Sequence, residues 1–145
     1  MDRMRLIKVA GGYETDIGHH VFEFRDMDGE PWGDKEAEGL NVRDIEEPAE
    51  DQNIRPHAHL KELFIELEFR ALEDTTAHAA KRARKIIADI EKALGVDKFW
   101  GGKAQGTSPL SVNNLDVKKA DRIYALCQLK FSITYRQLAF NPYAQ

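Results

Sequence analysis

The chain has 145 residues, 42% hydrophobic and 32% charged, with a formal net charge of −4. That size and balance suit one domain, residues 1–145, with one core, and argue against wholesale disorder. No apolar run approaches the roughly 20 residues of a membrane-spanning helix, and Met1–Arg5 lacks the apolar stretch of a secretory signal, so no membrane is expected as a partner.

In chain order, residues 3–10 can form one or two helical turns closed by Gly11-Gly12. A polar corner follows, then a first strand over Val21–Arg25. Asp26–Gly39 is broken by Gly29, Pro31 and Gly33 and reads as a loop. Leu40–Ile45 is a second strand and Pro48–Pro56 a second polar loop. In His59–Ala71, Leu63, Ile65, Leu67 and Phe69 alternate with Glu62, Phe64, Glu66, Glu68 and Arg70, the period of a strand with one face on the core. Thirteen residues at about 3.3 Å each reach roughly 40 Å, long enough for the strand to leave its own domain and pair elsewhere.

A helix over 76–94 comes next, with Asp74, Thr75 or Thr76 as cap and Gly95 as stop. Ala79, Ala80, Ala83, Ile86, Ile87, Ile90 and Leu94 form its apolar stripe, which should cover the apolar face of the sheet, with Ile86, Ile87 and Ile90 on Ile65, Leu67, Phe131 and Ile133. Residues 96–118 are rich in breakers (Gly101, Gly102, Gly106, Pro109, Asn113, Asn114) and read as an irregular stretch. Arg122–Arg136 alternates again, with Ile123, Ala125, Cys127, Leu129, Phe131, Ile133 and Tyr135 on one face. Cys127, the single cysteine, leaves no intrachain disulfide and reads as a core thiol in a protein made in a reducing cytoplasm. The expected fold is α+β: a mainly antiparallel four-stranded sheet with one long helix on one face and long loops.

Several patterns invite chemistry and fail on spacing. Gly101-Gly102-Lys103 suggests a phosphate loop, but Ala104 stands where Ser or Thr must follow the lysine, and no helix opens there. His57 and His59 share a strand face with Glu62 near, without an evident third metal ligand. Asp26-Met27-Asp28-Gly29-Glu30 continues poorly as a calcium loop. Glu62, Glu66 and Glu68 share a strand face, where next-but-one neighbours are about 7 Å apart, the order of glycosidase carboxylates, yet on one strand face they more simply pair with Lys130 and Arg136 across the sheet. No catalytic, cofactor or metal site is assigned. Residues 23–51 hold twelve acids against three bases, a local balance of −9 and the reverse of a nucleic-acid grip.

Gly11-Gly12-Tyr13-Glu14-Thr15-Asp16-Ile17-Gly18, Val21-Phe22-Glu23-Phe24-Arg25 and Leu40-Asn41-Val42-Arg43-Asp44 resemble the N-terminal half of the tail terminator (tail completion, minor tail) proteins of long-tailed bacteriophages. Residues 84–102 resemble the helix of that family and the loop after it, and Ile133-Thr134-Tyr135-Arg136 its last strand. The order and spacing of these segments over about residues 9–137 make the match; family members begin with a longer helix than the ten residues preceding Gly11 here. The resemblance implies a homohexameric ring in the virion, at the head-proximal end of the tail. The ring caps the tail tube, stops its growth and joins tail to head. It implies as partners the major tail tube protein, a head-completion or neck protein and other copies of the chain, with genomic DNA passing through unbound. Under this reading Glu66, Glu68, Asp28 and Glu30 line an acidic channel, and Trp32, Trp100, Phe140 and Tyr143 sit at interface loops. Another neck or connector ring protein, or a small α+β ligand-binding module or enzyme, are the competing readings.

Overall fold

The computed structural model describes residues 2–25, 38–46, 52–55, 58–73, 75–119 and 123–138. A short helix α1 (Asp2–Arg5) and two 3-10 turns (Val9–Gly11 and Ile17–His19) lead into strand β1 (Val21–Glu23). Strands β2 (Gly39–Glu46), β3 (Gln52–Arg55) and β4 (Ala58–Glu73) follow, then helix α2 (Thr76–Gly95), then β5 (Gly106–Thr107), β6 (Ser111–Lys119) and β7 (Ile123–Leu138). The α+β architecture holds, but the sheet has seven strands among the described residues where four were expected. Its order is β1-β2-β4-β7-β5, with β3 beside β4 and β6 beside β7. Every pairing is antiparallel except that of β1 with β2.

Strand β6 corrects the expectation of an irregular stretch after the helix. Asn113-Asn114 would weaken an isolated strand, but β7 offers an edge beside it. The register shifts between Val112 and Asn114, so Asn113 becomes the extra residue of a bulge and the pairing resumes beyond it. Tertiary pairing overrides local propensity here, as strand preferences commonly allow.

The centre of the sheet is the β4–β7 ribbon. Sixteen residues of β4 pair with sixteen of β7, from Ala58 opposite Leu138 to Glu73 opposite Ile123. The long strand therefore pairs within its own chain rather than leaving it. One face of the ribbon takes the helix. Leu67, Phe69, Ala71, Ala125, Cys127 and Leu129 are fully or almost fully buried there, against Ala79, Ala83, Ile86, Ile90 and Ala93 of α2. Ile87, Ile65 and Ile133 pack at the margin of the same core, which is the packing the two periodicities require. Thr75 caps α2, its hydroxyl accepting from the His78 amide at 3.1 Å. Burial pushes the Cys127 thiol up to about 11, so it stays protonated and unreactive at neutral pH.

Length alone limits the helix. Twenty residues of α2 span about 30 Å, whereas sixteen strand residues span roughly 50 Å. Helix and core therefore cover the ribbon from its 73/123 end to about the level of Phe64 and Ser132. Beyond that level, residues 58–63 and 133–138 continue as an extension, flanked by β3 on one side and β5 on the other.

Candidate assembly surfaces

The segment Gly11–Gly18 is a structural clamp. The Asp89 carboxylate, on α2 and only 3% exposed, accepts from the Glu14 amide (3.0 Å), the Thr15 amide (2.7 Å) and the Thr15 hydroxyl (2.7 Å). Lys92, one turn on, donates to the Gly12 carbonyl at 2.7 Å and lies over the Tyr13 ring. Gly12 has φ 83°, a left-handed position that favours glycine. At Gly18 the reason is space: a β-carbon would come within 2.6–2.9 Å of the carbonyl oxygens of Ile7, Met4 and Arg5. These contacts fix the N-terminal residues, with Met4, Ile7 and Ile17 in the core, against the helix. The sequence did signal Asp89. It is an acid on the apolar stripe, three residues after Ile86, where a buried carboxylate needs dedicated donors.

A second carboxylate organises residues 97–107. Asp97 Oδ1 accepts from the Phe99 amide at 2.9 Å and Oδ2 from the Gly101 amide at 2.6 Å. These backbone donors, helped by Arg3 nearby, hold the Asp97 carboxyl below its ordinary range. Trp100, Gly101 and Gly102 all adopt positive φ. The amides of Gly102, Lys103 and Ala104 bond to carbonyls of Phe99 and Trp100. The glycine-rich turn thus spends its donors internally and leaves none arranged around an anion, which gives the geometric reason that it is not a phosphate loop.

Of the expected interface aromatics, only Trp100 lies among the described residues; Trp32, Phe140 and Tyr143 lie outside them. Trp100 is turned inward. Its indole N–H donates to the Thr107 hydroxyl at 2.7 Å, and the Arg3 guanidinium lies 4.1 Å from the ring centre. The exposed aromatic of this turn is its neighbour Phe99, at 59%. A second exposed aromatic, Phe24 at 65%, follows β1 with φ 54°. The sequence gives no sign of either, because exposure here depends on turn geometry.

Among the expected channel acids, Asp28 and Glu30 and the side chain of Glu68 lie outside the described residues. Glu66 is corrected: it is 7% exposed and neutralised. The register places Arg43 of β2 and Lys130 of β7 directly opposite it on either side. Arg43 reaches its carboxylate at 2.7 Å and Lys130 at 4.0 Å. Arg136 takes no part, standing opposite Leu60 six residues along the ribbon. Glu62 accepts from the Ser132 hydroxyl, and the Arg70 guanidinium lies over the Tyr124 ring. The described side chains of the helix-free face are therefore mixed, and Glu62 and Glu66 among them are paired. His57 and the side chain of His59 lie outside the described residues, among which no group of three His, Cys, Asp or Glu could hold a metal. Nor is any described helix long and apolar enough to cross a membrane.

A cleft of about 290 Å³ opens where α2 ends, between Glu91, Leu94, Gly95 and Lys98 on one side and Thr107–Leu110 on the other. It lies at the β5 edge of the sheet, whereas Phe24 lies at the β1 edge. No protein-family model matches the chain, and no curated relative matches it.

Proposed function

We propose that the chain is a structural subunit of a ring assembly, and specifically a tail terminator that caps the tail tube of a long-tailed phage and joins tail to head. The observation that supports an assembly role is the ribbon extension. Past the reach of α2, Leu60 lies on one face of the ribbon and Leu63 and Tyr135 on the other, all half-buried. A stretch of sheet with no helix over it and apolar groups on both faces gains from being packed between neighbours. The finer reading, a terminator rather than another ring of the neck, rests on the ordered resemblance of residues 9–137 to that family. With Glu66 neutralised, passage of DNA would depend on a wall without excess positive charge rather than on a row of strand acids.

The test is to add the purified chain separately to tail tubes and to portal-bearing heads and to image the particles. A terminator binds one end of the tube as a six-membered ring and halts its growth. Binding to heads alone would transfer the chain to the neck, and binding to neither would remove the phage reading.

A further inference from the structure

We propose that copies of this chain join head to tail, with Phe24 of one copy seated in the cleft at the end of α2 in the next. The inference rests on the ring reading and gives it an interface.

The projecting part is built to hold its shape. Phe24 has a left-handed backbone, an unfavourable conformation for a bulky side chain, and still presents its ring to solvent. The surrounding backbone is tied down on both sides. The Phe24 amide donates to the Val42 carbonyl at 3.1 Å. Asn41, fully buried, accepts from the Arg25 amide at 3.1 Å and donates to the Arg25 carbonyl at 2.9 Å. A buried amide side chain that grips the next residue's backbone fixes the point from which the aromatic ring projects.

The receiving part is of suitable size and lining. A cavity of about 150 Å³ holds benzene, so a cleft of about 290 Å³ has room for a phenyl ring with its β-carbon. Leu94, Pro109 and Leu110 give it apolar walls. Its outer wall is fixed, because the Thr107 hydroxyl donates to the Lys98 carbonyl while accepting from Trp100.

Position and charge select a second copy as the occupant. Knob and cleft lie at opposite edges of the sheet, four strand spacings or roughly 19 Å apart, so the contact is heterologous and generates a ring when its rotation closes. The exposed charged side chains described on β1 and β2, Glu23 and Asp44, are both acidic. Residues 98–119, which include β5 and β6, carry four lysines and one acid, a balance of +3. Exposed Glu23 beside the knob matches exposed Lys98 at the cleft. Acidic Glu23 and Asp44 at one edge and Lys98 at the other favour head-to-tail contact over face-to-face pairing.

Two variants of the full chain separate the two halves of the contact. Phe24→Asn removes the ring with a residue that tolerates the left-handed backbone. Gly95→Leu fills the cleft at a helical position where a β-carbon meets nothing within 4 Å. Native mass spectrometry and sedimentation should show the unaltered chain forming closed oligomers at high concentration. Each variant alone should associate at least about tenfold more weakly, as for loss of a buried aromatic anchor. Mixed together they should give dimers and nothing larger, because only the Phe24 of the Gly95→Leu copy and the cleft of the Phe24→Asn copy remain. Unchanged melting temperatures and that mixed dimer show both variants folded. The proposal is overturned if the unaltered chain stays monomeric at every concentration, if either variant assembles like it, or if the mixture stays monomeric. Mixed dimers from a chain that ignores tail tubes would keep this interface and reject the terminator reading.

Discussion

Two loops of this protein are each gathered by one aspartate, and they differ in where that aspartate lies. Asp89 is buried and collects three donors from a segment some seventy residues away in sequence. Asp97 is on the surface and collects amides two and four residues ahead of it. The first joins two distant parts of the chain; the second only shapes its own turn. Removing a buried acceptor leaves donors that water cannot reach, whereas an exposed turn loses bonds that water replaces. The same chemistry should therefore be structural in one place and nearly dispensable in the other.

The sharpest way to break that contrast is at Gly18, whose surroundings are backbone oxygens that cannot swing aside. Gly18→Ala should cost about 3 kcal/mol or more in denaturant unfolding, since overpacking commonly costs 1–3 and rigid neighbours add to it. A loss under about 1 kcal/mol would mean that the N-terminal corner is not held as described. Asp89→Ala follows closely. It strands the amides of Glu14 and Thr15 and the Thr15 hydroxyl, and should cost about 3 kcal/mol. Amide hydrogen exchange at Glu14 and Thr15 should rise with it. If those amides stay protected, another group holds the corner.

Gly12→Ala tests conformation without crowding, because nothing lies within 4 Å of its would-be β-carbon while φ is 83°. About 1–2 kcal/mol is expected, the strain of a left-handed alanine. Asp97→Asn should have the smallest effect. Its signature is pH dependence: a carboxyl lowered on folding stabilises the fold above its unfolded pKa, and that contribution disappears as pH falls through the lower folded value. The variant should melt a degree or two below the parent near pH 7, and the gap should close as pH falls, because the parent loses this contribution and the variant has none to lose. A larger fall would show that the turn, and with it Arg3 and Trp100, supports the core after all.

Some of this was readable from residue order. Period-2 alternation located β4 and β7, and the three- and four-residue steps located α2 with Ile86 and Ile90 inward. Each pattern reports a face that must be buried, whatever buries it. The count of strands was not readable. β5 and β6 are short or broken by asparagine and glycine, and they are strands because β7 offers a free edge. The role of Glu66 was half-readable: Lys130 was a foreseeable partner, but Arg43 depends on β2 lying on the other side.

By itself, the sequence determined which faces are apolar, where the helix starts and stops, and that Gly11–Gly18 turns sharply. Those follow from local sterics and hydrophobic periodicity, which act within a few residues. Tertiary structure alone decided what the corner is pinned to, which acid is neutralised, and which aromatics face outward. Asp89 and Thr15 meet across seventy-four positions of chain, and Glu66 finds Arg43 across twenty-three, through packing and strand register. The exposed rings of Phe24 and Phe99 and the cleft at the end of α2 have the same origin. They lie at the margins of elements, where backbone turns and the unequal lengths of helix and ribbon leave groups that a single chain does not cover.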